Sequence, residues 1–400
     1  TDGHAMCAMA FGLQWQSEHV RHNDQLVAPK LNLWRDILPF ELEPELMDKP
    51  VNHVARRSFA AGELIVPYQP DLCFNLSQRA FHRGLRRNNH VEPRSGRFYP
   101  RAFIGGSRGI FAEEVLPFRV CGVSDDMIGC DLNNPLADKA LDLSVRILDI
   151  WAAREEHGGS CNDVAEMITA NGPGMQARWR NMPTDFWPDI PFARLAGEAD
   201  AAFYAMPRMV SHVDQTASEQ IGKLYRRLLP AGGRVLDLMA SWESHLPTAH
   251  DLGEIVGLGM NAEELGANPL FSEYRVHDLN LQPALPYATG EFDAVICSLS
   301  VEYLIRPFEV FAEVARVLRP GGRFIVTFSN RWFPPKAINA WQSMHEFERP
   351  GMVLEYFLRD GLFDRLETWS IRGLPRPADD KYADRQADSD PVYAVWGSRS

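Results

Sequence analysis

Strand-like and helix-like segments alternate along the second half of the chain, from Gly233 onward. The strand-like apolar runs are residues 234–238, 254–258, 292–299 and 322–328. A helical pattern fills residues 308–318, and Pro320 with the two glycines after it ends that helix before the next strand. Strands that alternate with helices at this spacing predict a mostly parallel, doubly wound α/β sheet with helices on both faces. Right-handed crossovers then place the carboxyl ends of the strands, and a ligand crevice, at one edge.

The charge and cysteine content exclude several classes of function. The formal net charge of −12 repels phosphate backbones, so we expect no nucleic-acid partner. No apolar run reaches the ~20 residues needed to span a bilayer, so we expect no membrane-spanning segment. The six cysteines are scattered without CxxC spacing, which predicts reduced thiols, no metal site and a cytoplasmic protein. One basic run, residues 82–87, is interpreted as a solvated loop, with a basic substrate site as the alternative.

Length and texture divide the chain into segments. At 400 residues it is too long for one ordinary core, so we expect two or three domains. The predicted segments are an N-terminal arm at 1–50, a β-rich α+β domain at 51–155, a connector and lid at 156–214, and an α/β domain at 215–400. Residues 1–5 are interpreted as a cloning remnant. Helical patterns in the arm cover residues 31–38 and 44–47.

Local patterns predict individual elements on both sides of the connector. Residues 117–123 and 127–132 alternate around the turn at 124–126, which predicts a hairpin, and 141–150 alternates as a half-buried strand. A helix is predicted just before the first strand of the α/β domain, because apolar residues recur there at steps of three or four. Its predicted apolar face is Val213, Ala217, Ile221, Leu224 and Leu228.

Three stretches of the α/β segment carry a family resemblance. Residues 232–238 resemble the first strand, residues 292–299 the fourth strand, and residues 309–324 the helix and fifth-strand signature of class I S-adenosylmethionine-dependent methyltransferases. The resemblance implies a Rossmann-like fold, methyltransferase activity and S-adenosylmethionine as cofactor. It also implies that Asp237 sits below the cofactor's amino acid moiety and that Asp278 accepts from the adenine amino group.

The sequence departs from that family at two places. The first loop, which follows Asp237, is usually glycine-rich so that the backbone can approach the cofactor and take positive φ, but here it reads Leu-Met-Ala-Ser-Trp-Glu-Ser-His. The second strand usually ends in an acid that binds the ribose hydroxyls, and here Gly259 stands at that position. Asn261 is a candidate substitute for the ribose, and Met260 for packing on the adenine.

The resemblance implies a set of site residues at the crevice. Candidate cofactor-binding residues are Asp237, Met239, Ser241, Met260, Asn261, Asp278, Leu279 and Ser298. Candidate catalytic residues are His245, Glu302 and Tyr303; His245 is the first candidate base because imidazole titrates near neutrality, with a structural histidine as the alternative. Candidate substrate or lid residues are Tyr204, Arg208, His212, Asp214, Trp242, Asn330 and Arg331. Tyr204 to Asp214 recur at helical spacing, which also fits a merely polar helix face.

The first half resembles part of the SlyD-type, FKBP-like prolyl isomerases over residues 61–150. Residues 131–143 resemble the stretch that leads into that family's last strand, and the hairpin at 117–130 resembles its insert. We find no counterpart of the family's opening strands in residues 1–60, so isomerase activity is not expected. A peptide-binding insert and a domain that only shapes the neighbouring site are both compatible with this segment.

The leading hypothesis is a methyltransferase that acts on a small molecule or a peptide, with the N-terminal domain gating or presenting the substrate. The alternative is a chaperone-like or prolyl isomerase-type peptide-binding protein that keeps a degenerate methyltransferase fold as a scaffold. The sequence leaves the nature of the methyl acceptor and the oligomeric state open.

Overall fold

The computed structural model describes residues 1, 5–84, 91–152, 160–195, 197–246 and 252–400. The chain divides into two compact units, and each unit is assembled from separate stretches of sequence. The first unit comprises residues 1–18, 28–187 and 344–352, and the second comprises 19–27, 188–343 and 353–400. The expected boundary at 155–156, most of residues 1–5 and the basic side chains at 86–87 lie outside the described residues.

The strands and helices are numbered in chain order. In the first part of the chain they are β1 Met6–Gln16, β2 Val20–Asn32, α1 Glu43–Leu46, β3 Val54–Phe59, β4 Cys73–Ser77, β5 Phe98–Pro100, β6 Pro117–Val123, β7 Met127–Asp131, β8 Leu141–Trp151, α2 Val164–Thr169 and α3 Asp200–Phe203. In the rest they are α4 Gln215–Leu228, β9 Val235–Leu238, β10 Ile255–Gly259, α5 Ala262–Ala267, β11 Glu273–Val276, β12 Phe292–Ser298, α6 Pro307–Val317, β13 Leu318–Ser329, α7 Asn339–Gln342, α8 Glu348–Leu358, β14 Phe363–Arg372 and β15 Val392–Arg399.

The second unit is built on a doubly wound sheet. Its strand order is β11-β10-β9-β12-β13-β15-β14, with the first five strands parallel and β15 antiparallel to both neighbours. The order reverses between β9 and β12, because the chain first winds outward through β10 and β11 and then returns to the other side of β9. Such a switch point opens a crevice at the carboxyl ends of the strands. The predicted mostly parallel sheet is therefore confirmed.

Helices cover both faces of this sheet, as the alternation of side chains along β13 requires. Ile325 packs in the cluster that holds α4, whereas its neighbour Phe324 faces Phe311 of α6 with ring centroids 4.8 Å apart. The predicted apolar face of α4 is confirmed, since Val213, Ala217, Ile221, Leu224 and Leu228 are all buried in that cluster. The helix before the fifth strand ends at Val317, and β13 begins at Leu318, four residues earlier than the sequence predicted.

The first unit is dominated by antiparallel strands. β8 pairs with β1 on one side and β3 on the other, while a separate four-stranded sheet has the order β4-β7-β6-β5. The predicted hairpin is β6 and β7, and its aromatic core includes Phe81, Tyr99 and Phe118. A buried ion pair joins Arg97 Nε to Glu348 Oε1 at 2.7 Å within this unit.

The predicted helical pattern at residues 31–38 of the N-terminal arm was wrong, and the two strands of the arm were not predicted. Residues 6–16 and 20–32 form two long strands, and a turn rather than a helix follows Asn32. The signal was present in β1, where Phe11, Leu13 and Trp15 are buried and the residues between them are more exposed, which is the period of two typical of a strand. Residues 20–26 pair in parallel with β14 in the second unit. The short helical pattern at 44–47 is confirmed by α1.

Candidate functional site

A cavity of ≈ 280 Å³ opens at the carboxyl edge of the second unit's sheet, where β9, β10 and β12 end. Most of the predicted site residues line it. Those residues are Tyr204, Arg208, His212, Asp237, Met239, Ser241, His245, Met260, Asn261, Asp278, Leu279, Ser298, Tyr303 and Arg331. Asp214, Trp242, Glu302 and Asn330 are absent from its described lining.

Asp237, in β9, places a carboxyl group at the base of the cavity. Its side chain is 2% exposed, and its Oδ2 atom has no hydrogen-bond partner among the described residues. Burial raises the pKa of Asp237 to about 7, although a hydrogen bond from Ser244 opposes the shift. A buried carboxyl group with an oxygen that lacks a hydrogen-bond donor is suited to bind a cationic group. The positive charge of such a group favours the ionised form of the carboxyl group.

The glycine-poor first loop adopts a backbone that glycine would take more easily. Met239 follows β9 directly with φ of 59°, and His245 in the same loop has φ of 55°. Leu299, which follows β12, has φ of 51°. Non-glycine residues with positive φ are uncommon and cluster at functional sites, where the surrounding structure holds the strain. The chain thus keeps the loop conformation at the cavity without the glycine.

The close contacts around Gly259 explain why the expected acid is missing after the second strand. A Cβ at this position would overlap the carbonyl oxygen of Ala240, and Ala240 N donates to Leu258 O at 2.8 Å. The first loop therefore lies directly against the end of β10, in space that any side chain at 259 would need. The departure from the family pattern is a consequence of this close backbone approach.

The predicted ribose role of Asn261 is not supported by its contacts. Its Oδ1 accepts from Glu263 N and Glu264 N as the N-cap of α5, while its Nδ2 donates to Tyr204 O and Ala205 O. These four bonds use the full capacity of an amide side chain. Asn261 consequently fixes the polypeptide above the cavity and has no group left for a ribose hydroxyl.

Residues 204–214, here called the lid segment, do not form the predicted helix. α3 ends at Phe203, and the segment continues as irregular chain through Pro207 because its polar backbone groups bond to neighbouring elements instead. Glu264 accepts from Arg208 N at 2.7 Å, and Trp242 Nε1 donates to Val210 O at 3.3 Å. Spacing alone could not separate a polar helix face from a loop held by such contacts.

Asp214 has a different role from the one predicted. It is the N-cap of α4, accepting from Ala217 N, and it lies in a buried cluster with Arg376, Ser389 and Asp390. Its carboxylate is 4% exposed and is already paired with Arg376. Asp214 therefore anchors the start of α4 and is not part of the cavity wall.

The polar side chains of the first loop mainly hold the loop and the lid segment. Ser241 Oγ donates to Glu264 Oε2 at 2.6 Å, and Ser244 Oγ accepts from Asn268 Nδ2 at 2.8 Å. Glu243 accepts from Ser211 Oγ on the lid segment at 2.9 Å. The functional groups in this loop thus have a structural explanation that the sequence did not reveal.

His245 lines the cavity with its Nδ1 atom 2.8 Å from Ser218 Oγ on α4. Burial lowers the pKa of His245, and the carboxylate of Glu243, 3.6 Å from Nδ1, opposes the shift. The imidazole is therefore neutral at pH 7 and able to accept a proton. His212, across the same cavity, also has a pKa lowered by burial.

Tyr303 and Glu302, which follow β12, are placed differently. Tyr303 lines the cavity, stacks on Phe333 with ring centroids 6.0 Å apart, and accepts from Phe333 N at 2.9 Å. Glu302 is 0% exposed and lies behind the cavity wall. Burial raises the pKa of Tyr303 well above its ordinary value, so its phenol stays protonated and can serve as a donor.

Other predicted residues occupy supporting positions. Asp278 Oδ1 accepts from Asn280 N at 2.9 Å and from Leu281 N at 3.1 Å, and this fixes the turn after β11. Ser298 Oγ lies 2.6 Å from Tyr225 Oη. Asn330, outside the described lining, lies with its Oδ1 3.3 Å from Ser329 Oγ.

Sequence reasoning missed several residues around the cavity, including Phe333 and Lys381 of its lining and four that form polar contacts beside it. Asp200 is buried in an ion pair with the fully buried Lys336, Nζ to Oδ1 3.0 Å, and Asn280 Nδ2 donates to the same carboxylate. Glu264, described above, is the fourth. It stands three positions after Asn261, and that spacing is a helix-start signature that could have flagged it. Nothing in the local sequence identified Lys336, because its partner is 136 residues away.

Part of the second unit is similar to known proteins. Residues 246–326 match the model of a methyltransferase domain family. A domain of this kind implies S-adenosylmethionine as its cofactor, as the resemblance in the sequence did.

Individual relatives are more distant. Over 90 residues the chain is 27% identical to the malonyl-[acyl-carrier protein] O-methyltransferase of Marinomonas sp. (strain MWYL1), a match that covers 22% of this chain and 32% of that protein. The chain thus spans about a third of that relative's length. A solved S-adenosylmethionine-dependent methyltransferase from Mesorhizobium loti is 18% identical, with coverage of 46% of this chain and 98% of that chain and a TM-score of 0.29. One from Aquifex aeolicus is 14% identical, with 47% and 92% covered and a TM-score of 0.31.

Proposed function

We propose that this protein is an S-adenosylmethionine-dependent methyltransferase that acts on a small molecule or a peptide. The observation that carries the proposal is the buried Asp237 carboxyl group, whose Oδ2 lacks a partner among the described residues. In the family that the sequence resembles, the cofactor's amino acid moiety lies at this position. The ammonium group of that amino acid moiety would be the missing partner of the Asp237 carboxylate.

The residues present fit the cofactor in three further respects. Met239 carries the positive φ that the loop beside the cofactor requires. Asp278 stands after β11 with its Oδ1 atom engaged in the turn. Met260 and Leu279 supply apolar surface in the same cavity lining. Met260 and Asp278 are the positions from the sequence prediction that we assign to the adenine, whereas Asn261 is withdrawn from the ribose because its amide is fully bonded.

The chain's own residues have positioning and proton-transfer tasks. S-adenosylmethionine, when bound, would supply the electrophilic methyl group. Neutral His245, oriented by Ser218, is placed to take the proton of a weakly acidic acceptor. Tyr303 and Phe333 form a flat wall against which an acceptor can be aligned. The lid segment, held by Asn261 and Glu264, restricts water at the same place.

The proposal is tested by incubating the full chain with methyl-labelled S-adenosylmethionine and a size-fractionated cell extract. We expect the label to appear in a small-molecule or peptide fraction, and an Asp237→Asn protein to leave the label on the cofactor. Label that never leaves the cofactor with any fraction, for a protein that is folded, would favour the alternative of a peptide-binding protein on a methyltransferase scaffold. The FKBP-like resemblance of the first unit remains a prediction.

The role of Asp278 can be separated from its structural bonds by two substitutions. Asp278→Asn keeps an oxygen that accepts from Asn280 N and Leu281 N, whereas Asp278→Ala loses both bonds. If the carboxylate accepts from the adenine amino group, both variants should weaken S-adenosylhomocysteine binding by about 1–2 kcal/mol, measured by calorimetry. Unchanged affinity in Asp278→Asn with reduced affinity in Asp278→Ala would assign the residue to the turn alone.

The role of His245 is separable by kinetics. Replacement by Ala removes both the base and the contact with Ser218, so Ser218→Ala serves as the control that loses the contact only. We expect His245→Ala to lower kcat about 100-fold or more, within the usual contribution of a general base, while cofactor affinity changes little. Ser218→Ala should lower kcat much less. Equal losses of kcat and cofactor affinity in His245→Ala would assign the imidazole a structural role.

A further inference from the structure

Two cationic side chains stand at the cavity wall on the side of β13. Arg331 follows β13, and Lys381 lies in the segment between β14 and β15; both line the cavity. They flank the ring of Tyr382, with Arg331 Cζ 4.7 Å and Lys381 Nζ 5.1 Å from its centroid. Within the part of the chain that the structure describes, neither cation has a carboxylate at ion-pair distance. Asp380, which is ion-paired with Arg376, lies near Lys381, and Arg331 also bonds the Tyr382 hydroxyl, so the positive charge that the pair presents to the cavity is only partly offset.

A third cation lies deeper in the same wall. The guanidinium of Arg208 rests on the ring of Phe203, with Cζ 4.4 Å from its centroid, and Nη2 donates to Phe203 O at 3.0 Å. Its Nη1 atom is buried and has no acceptor among the residues described. A buried N–H group without an acceptor is costly, and a ligand oxygen would satisfy it.

Three acidic side chains of the lining bond to groups other than the charged ends of Arg208, Arg331 and Lys381. Asp200 pairs with Lys336 and Arg194. Glu264 accepts from Ser241 Oγ and from the backbone of Arg208, while Glu243 accepts from two serine hydroxyls. His212 and His245, which also face the cavity, both have pKa values lowered by burial and are uncharged at neutral pH.

The position of Arg331 relative to the sheet separates it from the proposed cofactor groups. Asp237 is on β9, and Met260 and Asp278 follow β10 and β11, so the proposed cofactor groups occupy β9 and the strands to one side of it. Arg331 follows β13, which lies beyond β12 on the opposite side of β9. The aromatic rings of Tyr303 and Phe333 line the same side.

We propose that the methyl acceptor carries an oxyanion, a carboxylate or a phosphate ester, on a flat apolar body, and that this anion anchors the molecule while another group is methylated. Arg331 and Lys381 bind the anion, Arg208 supplies a buried donor, and Tyr303 and Phe333 contact the apolar part. A guanidinium is suited to this role because its fork of N–H groups matches carboxylate and phosphate oxygens. This inference rests on the proposed function and names the acceptor class for the same site.

The inference is tested on the full chain saturated with S-adenosylhomocysteine, with benzoate, phenyl phosphate and benzamide as calorimetric probes. Benzamide has the shape of benzoate without its charge. We expect benzoate or phenyl phosphate to bind at least tenfold more tightly than benzamide, and the tighter of the two identifies the anion. An Arg331→Gln, Lys381→Gln double variant should lose this preference while binding S-adenosylhomocysteine as well as the wild type. Lys223→Gln, an exposed change on α4, is the control and should keep the preference.

The outcomes separate this inference from the proposed function. Equal binding of all three probes, or a preference that survives the double variant, overturns the inference and leaves cofactor use intact. A double variant that binds S-adenosylhomocysteine more weakly but keeps the probe preference would assign the two cations to the cofactor's own carboxylate. This result would also overturn the inference. Failure of the wild type to bind S-adenosylhomocysteine overturns the proposed function and the inference with it.

Discussion

Replacing Asp237 by Asn is expected to stabilise the unliganded second unit above pH 7 and to weaken cofactor binding at least about 30-fold. Burial raises the folded-state pKa of this carboxyl group to about 7, from an ordinary value of 3.8. Between roughly pH 4 and 7 the folded protein therefore holds a proton that the unfolded chain releases. A native state that binds more protons loses stability as pH rises through that window. At about 1.4 kcal/mol per pH unit, the loss is on the order of 4–5 kcal/mol.

Asparagine does not titrate. Position 237 should therefore cause no loss of stability in the variant between roughly pH 4 and 7. Urea unfolding of the second unit at pH 5 and pH 8 measures the difference: the wild type should lose stability relative to Asp237→Asn as pH rises. Asp278→Asn, which alters a carboxylate that accepts backbone N–H bonds, serves as the control. Parallel pH dependences in the wild type and Asp237→Asn would contradict a buried carboxyl group with a raised pKa.

The same substitution has the opposite effect on the bound state. A cationic amino group beside Asp237 favours the ionised carboxylate, so cofactor affinity should rise with pH up to about 7 and level off above it. Removing one partner of a buried charge pair typically costs about 2–5 kcal/mol, which corresponds to at least a 30-fold loss of affinity. Asp237→Asn should therefore be the more stable and the less functional protein. Equal affinity in the two proteins would place the cofactor's ammonium group elsewhere.

Replacing Gly259 by Ala is expected to destabilise the second unit by about 3 kcal/mol or more. The added Cβ would overlap Ala240 O, which is backbone and cannot rotate away, so the first loop must move from the end of β10. The loop carries Met239 and Ser241 into the cavity, and its displacement should also weaken cofactor binding.

Gly197→Ala is the matched control, because a Cβ there meets no atom within 4 Å in the same unit. Denaturation midpoints and cofactor affinity should be near wild type for Gly197→Ala and clearly reduced for Gly259→Ala. If Gly259→Ala unfolds like the wild type, the close approach of the two backbones is not a constraint and the missing acid needs another explanation.

The sequence predicted those parts of the fold whose signals are local. The apolar face of α4 and the β6–β7 hairpin needed only a short window of residues, and both are confirmed. The two N-terminal strands were missed because their partners are remote: β1 pairs with β8, and residues 20–26 pair with β14, more than 340 residues later. A lone strand has no local partner that would fix its conformation.

The site was predictable where strand ends determine it, and unpredictable where backbone contacts do. Asp237 and Asp278 were implied by the family resemblance at strand ends, and both line the cavity. The roles of Asn261 and Gly259 depend on the lid segment and the first loop, which approach them only after folding. Lys336 was invisible for the same reason, since its carboxylate partner lies far away in sequence. Residues that hold the site together were thus harder to predict than those that face its ligand.

Calorimetric titration of the full chain with S-adenosylmethionine, from pH 6 to pH 8.5, tests the account most directly. We predict saturable binding at one site per chain, with affinity that rises from pH 6 to about pH 7 and rises no further above it, and at least about 30-fold weaker binding by Asp237→Asn. Absence of binding by the folded wild type at millimolar cofactor, or binding that is independent of both pH and Asp237, would contradict it.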